Sequence, residues 1–283
     1  MDPMRLTKLG MMANDSPRAV DLALESAAYL KDKVGAILAE DHLLSSMAAR
    51  NQKVCSSIRA LNPTADRVDL VLVFGGDGTI LRTVQSFGSF AVPVCGINMG
   101  RTGFLSQVEP KDLLASLKRL VSGRFDVISR MKIDVRLGAE KLGSALNELL
   151  VQGTRTGKIF RCNVHIDALG DFMLEGDGMV VSTPTGSTGH SLSAGGPVVD
   201  SGLDAIIVAP LGAIRPIRPM VVGSDKEIAV LPGDDCCLAM DGRVVANARQ
   251  GHEVRICRSE SKAVFAVLDP GLFWTKLRQR IGG

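Results

Sequence analysis

Leu70-Val71-Leu72-Val73-Phe74-Gly75-Gly76-Asp77-Gly78-Thr79 carries the reading of the fold. The first five residues are an unbroken apolar run of strand length. A strand with no polar face is one covered on both sides, as in a parallel sheet packed between helices. The glycines that follow let the backbone turn tightly and approach a ligand closely. A helical stretch starts at Ile80. Successive N–H groups in such a turn, with a helix N-terminus behind them, make an anion site. It lies beyond the carboxyl end of a strand, where open α/β sheets bind ligands. Asp77 is the residue that anion binding does not explain. A carboxylate among such amides suits taking a proton from a hydroxyl or positioning magnesium. The same residues also suit a plain strand-to-helix turn with an Asx cap.

Upstream, strand and helix signals alternate. Arg5–Ala13 reads as a strand. Ser16-Pro17 offers an N-cap with proline at the first helical position, and a mostly apolar helix follows through Leu30. Val34–Leu38 reads as strand and Asp41–Asn51 as helix. Downstream, Val92–Ile97 is another apolar strand, and Pro110–Val121 an amphipathic helix stopped near Gly123. This order predicts an α/β domain with a parallel sheet over residues 1–125.

After residue 126 the pattern changes. Arg161–Asp167 alternates cleanly, with Cys162, Val164 and Ile166 on one side, as a half-buried antiparallel strand does. Short strands are expected at Met131–Leu137, Met179–Ser182, Ala205–Ala209, Glu227–Leu231, Cys237–Met240, Glu253–Cys257 and Ala263–Leu268. Residues 126–268 therefore read as an all-β domain. Gly271–Ile281 reads as a short basic helix packing back on the first domain.

Composition narrows the function classes. The chain has 283 residues, 46% apolar and 22% charged, with a formal net charge of +3. It is globular, and that charge, without long like-charge runs, argues against a nucleic-acid or membrane-surface partner. No signal peptide is read at the N-terminus and no stretch reaches the ~18 apolar residues of a membrane helix. The six cysteines (55, 95, 162, 236, 237 and 257) form no C-x-x-C pair. They read as reduced thiols of a cytoplasmic protein rather than a zinc site. No dedicated metal cage is visible in the sequence.

A second motif is Thr183-Pro184-Thr185-Gly186-Ser187-Thr188-Gly189-His190-Ser191-Leu192-Ser193-Ala194-Gly195-Gly196-Pro197. Its hydroxyls and small residues can satisfy the acceptors of a ribose, an adenine edge or a phosphate. Apolar flanks and the absence of Asp, Glu, Lys and Arg make it a packed loop rather than a linker. Gly153-Thr154-Arg155-Thr156-Gly157-Lys158 misses the P-loop spacing. No G-x-G-x-x-G follows the first strand, and Gly186-Ser187-Thr188-Gly189 lacks the G-x-S-x-G spacing of a hydrolase.

Together these residues resemble the NAD kinase family. The resemblance rests on residues 75–79, Gly96-Ile97-Asn98, Gly100, Gly103-Phe104-Leu105, Asn147-Glu148 and Asp177-Gly178. Ser182–Thr188, Ser191–Pro197 and Arg218-Pro219 continue it, and it spans about residues 68–245. It implies a parallel-sheet α/β domain of the phosphofructokinase and NAD-kinase type, an antiparallel β-sandwich domain, and a C-terminal helix returning to the first domain. It implies phosphoryl transfer from ATP or polyphosphate, with Mg²⁺ or another divalent cation, to the 2′-hydroxyl of the adenosine ribose of NAD, giving NADP. Asp77 would be the general base. Gly76, Gly78, Thr79 and Arg82 would face the donor phosphates. Asn98, Asn147, Glu148, Lys158, Asp177, Thr188, Gly189, His190 and Ser193 would bind NAD, and Asp77 would face the Thr183–Ser193 loop across the active site. NAD kinases form homodimers and homotetramers, so self-association is implied.

The sequence departs from the family pattern in places. The usual Thr-Ala-Tyr is Thr188-Gly189-His190, and the segment before Arg218-Pro219 reads Leu211–Ile217 in place of Cys-Pro-His-Ser-Leu-Ser. Glu175 stands at a usually basic position, and Asp241-Gly242-Arg243 replaces Asp-Gly-Gln. Two other readings stay open here: a lipid kinase sharing the Asp77 motif, which has no use for Asn147-Glu148, and a dinucleotide sensor that binds without turnover.

Overall fold

The computed structural model describes residues 6–88, 90–100 and 103–281. The chain divides into two compact units, one of Met1–Ser129 with Ala263–Gly283 and the other of Arg130–Lys262. Among the described residues no helix is long and apolar enough to cross a membrane.

In chain order the first unit begins with β1 (Lys8–Ala13), α1 (Pro17–Leu30), β2 (Ala36–Ala39), α2 (Asp41–Arg50), α3 (Gln52–Cys55) and β3 (Arg59–Ala60). β4 (Leu70–Gly75), α4 (Asp77–Ser86), β5 (Pro93–Asn98), β6 (Ser106–Val108) and α5 (Leu113–Val121) follow. The expected first strand starts at Lys8; Arg5 lies outside the described residues. Ser16 caps α1 as expected, its Oγ accepting the Ala19 N–H at 3.3 Å, with Pro17 at the first helical position. β4 lies between β1 and β5, parallel to both, and is buried at every position from Leu70 to Gly75. Leu70, Leu72 and Phe74 join Leu9, Met11, Cys95 and Ile97 in a core that α1, α2 and α5 cover with Leu30, Leu43, Met47, Leu117 and Leu120.

The second unit is built from β7 (Asp126–Leu137), β8 (Glu140–Ala145), β9 (Glu148–Gly153), β10 (Phe160–Ile166), β11 (Gly170–Gly176) and β12 (Gly178–Ser182). After them come α6 (His190–Ser193), β13 (Ala205–Leu211), β14 (Met220–Gly223), β15 (Ile228–Pro232), β16 (Cys236–Met240), β17 (Arg243–Ala248) and β18 (Val254–Val267). One antiparallel sheet runs β14-β13-β12-β9-β16-β17. Facing it are β11-β10-β15 with the first half of β18, extended by β7 and β8. Ile133 and Val135 of β7 and Val164 and Ile166 of β10 share one core with Leu149, Val151, Val181, Val208 and Leu238 of the other sheet. This is the expected sandwich. The alternation in β10 holds, with Cys162, Val164 and Ile166 buried and Arg161 and His165 exposed.

Two expected strands, Glu253–Cys257 and Ala263–Leu268, are one continuous strand, β18. The polar stretch between them reads as a turn, yet its side chains carry partners. Arg258 pairs with Asp204 at 3.0 Å, and the Ser259 and Ser261 hydroxyls bond each other at 2.9 Å. Within the first unit, β18 pairs parallel with β5 (Val264 beside Pro93) and leads to α7 (Leu272–Ile281).

Candidate active site

The first constellation sits where β4 gives way to α4. Gly76 is the N-cap and Asp77 the first helical residue, so the carboxylate stands at the positive end of the helix. Its two oxygens are each held by a backbone amide. Phe104 donates to Oδ2 at 2.9 Å and Leu105 to Oδ1 at 3.0 Å. Each oxygen keeps a further lone pair for another donor. Gly103 passes close by: a Cβ there would lie 3.1 Å from Asp77 Oδ1 and 3.2 Å from Asn98 Oδ1. Asn98 is buried, its amide donating to Glu109 at 3.0 Å and its oxygen accepting the Gly100 N–H. Asp77, just after β4, and Asn98, at the end of β5, thus flank the same glycine.

The glycines differ in purpose. A Cβ on Gly75 would overlap the Thr79 side chain, so close packing explains that glycine and gives Thr79 an internal role. A Cβ on Gly76 or Gly78 would meet nothing within 4 Å, and neither residue has a positive φ. Among the described residues nothing requires glycine at these two positions. Arg82, expected to face phosphate, binds the Glu40 carboxylate and donates to the Ala13 carbonyl at 2.7 Å.

The second constellation is centred on Glu148, which is only 8% exposed. Its Oε2 has no hydrogen-bond partner among the described residues. Burial pushes the carboxyl up to about 7, and the nearby Asp241 carboxylate adds in the same direction. Asp241 turns the chain between β16 and β17 with φ +47°, followed by Gly242 at +78°, a pair of left-handed residues that fits a tight hairpin. That turn aims the Asp241 carboxylate at three amides: Leu146 at 2.9 Å, Asn147 at 2.7 Å and Glu148 at 3.2 Å. Asn147 accepts the Thr183 N–H through its carbonyl at 2.8 Å and stays half-buried.

The hydroxyl-rich loop divides into two groups. Thr183 donates to the Leu146 carbonyl at 2.6 Å, and Ser187 ties Pro184 to Val199. Ser182, Thr185 and Ser191 have buried hydroxyls with no partner among the described residues. Ser182 stands directly opposite Glu148 across the β12–β9 pair, so the two side chains share a face. Thr188 is buried, ending a helical turn, and Gly189 runs past Glu148: a Cβ there would lie 3.6 Å from Oε2. His190 and Ser193, at the two ends of α6, are exposed.

Lys158 and Asp177 stand elsewhere in this unit. Lys158 lies on the exposed β9–β10 loop, lining a cavity of about 490 Å³ with Arg155, Arg161, Asp234 and Asp235. Asp177 is exposed at the β11–β12 corner, beside Gly212. Among the described residues no contact joins either side chain to Glu148.

The ATP-NAD kinase N-terminal domain family matches residues 9–125, and the ATP-NAD kinase C-terminal domain family matches residues 146–268. The chain belongs to the NAD kinase family. Its membership makes it a phosphotransferase, and the implied order of parallel-sheet domain, β-sandwich and terminal helix is the one observed. An NAD kinase of Methanosarcina acetivorans is 36% identical over 219 residues, 76% of this chain and 78% of that one. The structure of an NAD kinase from Archaeoglobus fulgidus in complex with ATP superposes with a TM-score of 0.76 at 25% identity, covering 98% of each chain. Yeast NADH kinase complexed with NADH shares the fold, with a TM-score of 0.90 at 21% identity over 99% of this chain and 88% of that one.

Two features of this NAD kinase family member escaped sequence reasoning. For Asp241 the Asp-Gly pair between two apolar runs signals the hairpin but not the distant amides that its carboxylate holds. Lys276 of α7 left no comparable sign. It is buried, and its Nζ donates to the Gly103 carbonyl at 2.5 Å and the Ser106 carbonyl at 2.7 Å.

Proposed function

We propose that the chain transfers a phosphoryl group from ATP to the 2′-hydroxyl of the adenosine ribose of NAD, giving NADP. The observation that carries this reading is the Asp77 carboxylate, fixed by two amides at the start of α4 beside two glycines that no packing among the described residues requires. A carboxylate so held, with a lone pair left on each oxygen, is oriented to accept a proton from a substrate hydroxyl. Open backbone at Gly76 and Gly78 gives donor phosphates room to approach the amides of a helix N-terminus. Catalysis of this kind is mostly positioning and charge stabilisation.

NAD is assigned to the residues around Glu148. The unpartnered Oε2 and the unpartnered hydroxyls of Ser182, Thr185 and Ser191 suit the hydroxyls and ring nitrogens of an adenosine. Such buried polar atoms cost stability until a ligand pairs them. Gly189 passes the same carboxylate, and Asn147, Thr188, His190 and Ser193 are assigned to the remainder of the dinucleotide. A lipid acceptor would have no use for this polar set.

ATP as donor is supported by the Archaeoglobus fulgidus relative in complex with ATP. Among the described residues no group of three His, Cys, Asp or Glu side chains could hold a metal ion. Magnesium is assigned to the donor's phosphates and water, with Asp77 the protein carboxylate beside them. Bound there, the ion would neutralise charge on the donor phosphates. The test is NADP formation from NAD, ATP and Mg²⁺, with polyphosphate and diacylglycerol as alternative donor and acceptor. NADP made with ATP is the expected result. Binding of NAD without NADP from either donor would leave a sensor, and phosphorylated diacylglycerol would overturn the acceptor.

A further inference from the structure

The C-terminal helix holds a lysine whose chemistry the reading above does not use. Lys276 on α7 is 7% exposed, yet its ammonium is bound wholly by neutral groups. Nζ donates to the Gly103 carbonyl (2.5 Å), the Ser106 carbonyl (2.7 Å) and Ser106 Oγ (3.0 Å), which matches its three protons with three acceptors. Ser106 Oγ in turn donates to the Gly103 carbonyl at 3.0 Å. Burial lowers the Lys276 pKa, while the Glu109 and Asp77 carboxylates act to raise it. A buried cation on neutral acceptors is costly, and an apolar side chain of similar length would fill the space at less expense.

The connection lies in one peptide unit. The Gly103 carbonyl that accepts from Lys276 belongs to the same planar group as the Phe104 N–H that donates to Asp77 Oδ2. A cation on the carbonyl polarises that group and strengthens its N–H as a donor. It also fixes the plane of the peptide, and with it the direction of the N–H. Through Ser106, Lys276 holds the far end of the same turn, which contains the second donor, Leu105. The ring of Phe104 also lies 6.2 Å from that of Phe273, a second contact of α7 with this turn.

We propose that Lys276 is a positioning residue for phosphoryl transfer: by clamping the Gly103–Ser106 turn it sets the Asp77 carboxylate in its working orientation, which makes α7 part of the catalytic machinery. The inference rests on the reading of Asp77 as the base. Its signature is a loss that exists only when Asp77 is present.

The test is a double-mutant cycle in the full chain, combining Lys276→Met with Asp77→Asn and measuring NADP formation and thermal unfolding. Lys276→Met is expected to lower kcat about tenfold to a hundredfold, the range in which small misplacements of a reacting group fall. KM for NAD and ATP should stay within about twofold. In the Asp77→Asn background the same substitution should leave the residual rate unchanged. An equal loss in both backgrounds, or a wild-type kcat in Lys276→Met, overturns the proposal while leaving the Asp77 reading intact. A wild-type rate in Asp77→Asn alone overturns that reading, and this inference with it. If Lys276→Met does not fold, Ser106→Ala enters the same cycle, having lost one of the three acceptors. A smaller kcat loss confined to the Asp77 background supports the clamp, and an equal loss in both backgrounds refutes it.

Discussion

Glu148→Gln removes the buried charge of the second unit while keeping the shape of the side chain. In the free protein, burial raises the Glu148 carboxyl from its ordinary 4.5 to about 7, with Asp241 adding to the effect. Between those values the folded chain holds a proton that the unfolded chain has released. The contribution to stability is therefore fully present below pH 4.5 and is lost as the pH rises through 7. At about 1.4 kcal/mol per pKa unit the full loss is ~3 kcal/mol, of which ~2 kcal/mol falls between pH 5 and pH 7. At 8% exposure, solvent screening takes little from that figure. Glutamine does not titrate, so urea unfolding of wild type and Glu148→Gln at pH 5, 6, 7 and 8 and fixed ionic strength isolates the effect. The variant should gain on wild type by about 2 kcal/mol from pH 5 to pH 7 and level off near pH 8. Two stability curves that stay parallel across this range would show that Glu148 ionises freely in the folded protein and would refute the reasoning.

Other expected outcomes follow from the same geometry. Gly78→Ala should fold with stability raised by about 0.5–1 kcal/mol, since its Cβ meets nothing within 4 Å and alanine favours a helix. Its KM for ATP should rise about tenfold or more if phosphates occupy that space; steady-state kinetics and thermal melts read the two effects. Gly75→Ala should lose about 1–3 kcal/mol, because the added Cβ overlaps Thr79. The thiols of Cys95, Cys162 and Cys236 are pushed up to about 12, chiefly by burial, so iodoacetamide at pH 8 should leave them unmodified in the native protein. Mass spectrometry should find the half-buried Cys237 labelled before any of the three.

The parts of the fold most legible in the sequence were those with a single dominant signal. Leu70–Phe74 had no polar residue and became a strand buried throughout; Cys162, Val164 and Ile166 alternated and became one face of β10. Ser16-Pro17 named its own helix start. Strands with exposed or mixed faces gave weaker signals. β17 reads Arg243-Val244-Val245-Ala246-Asn247-Ala248, with Val244 66% exposed, and escaped notice. β18 was divided in two because Arg258–Lys262 is polar; the partners of Arg258 lie more than thirty residues away in sequence, on Asp204 and Ser224. The same limit applied to the site. Asp77 was marked by a local motif and Glu148 by the family resemblance. Their supports were not: Asp241 meets the 146–148 amides across more than ninety residues, and Lys276 meets Gly103 across 173. A partner fixed by tertiary pairing leaves no spacing to read.

The most direct test of the account is Asp77→Asn, compared with wild type for NADP formation and, by calorimetry, for NAD binding. The account predicts that kcat falls by about a hundredfold to ten-thousandfold, the usual contribution of a general base, with NAD binding and the unfolding midpoint close to wild type. A variant that still makes NADP at the wild-type rate would contradict it, and the carboxylate held by Phe104 and Leu105 would then be only a structural tie between α4 and that segment.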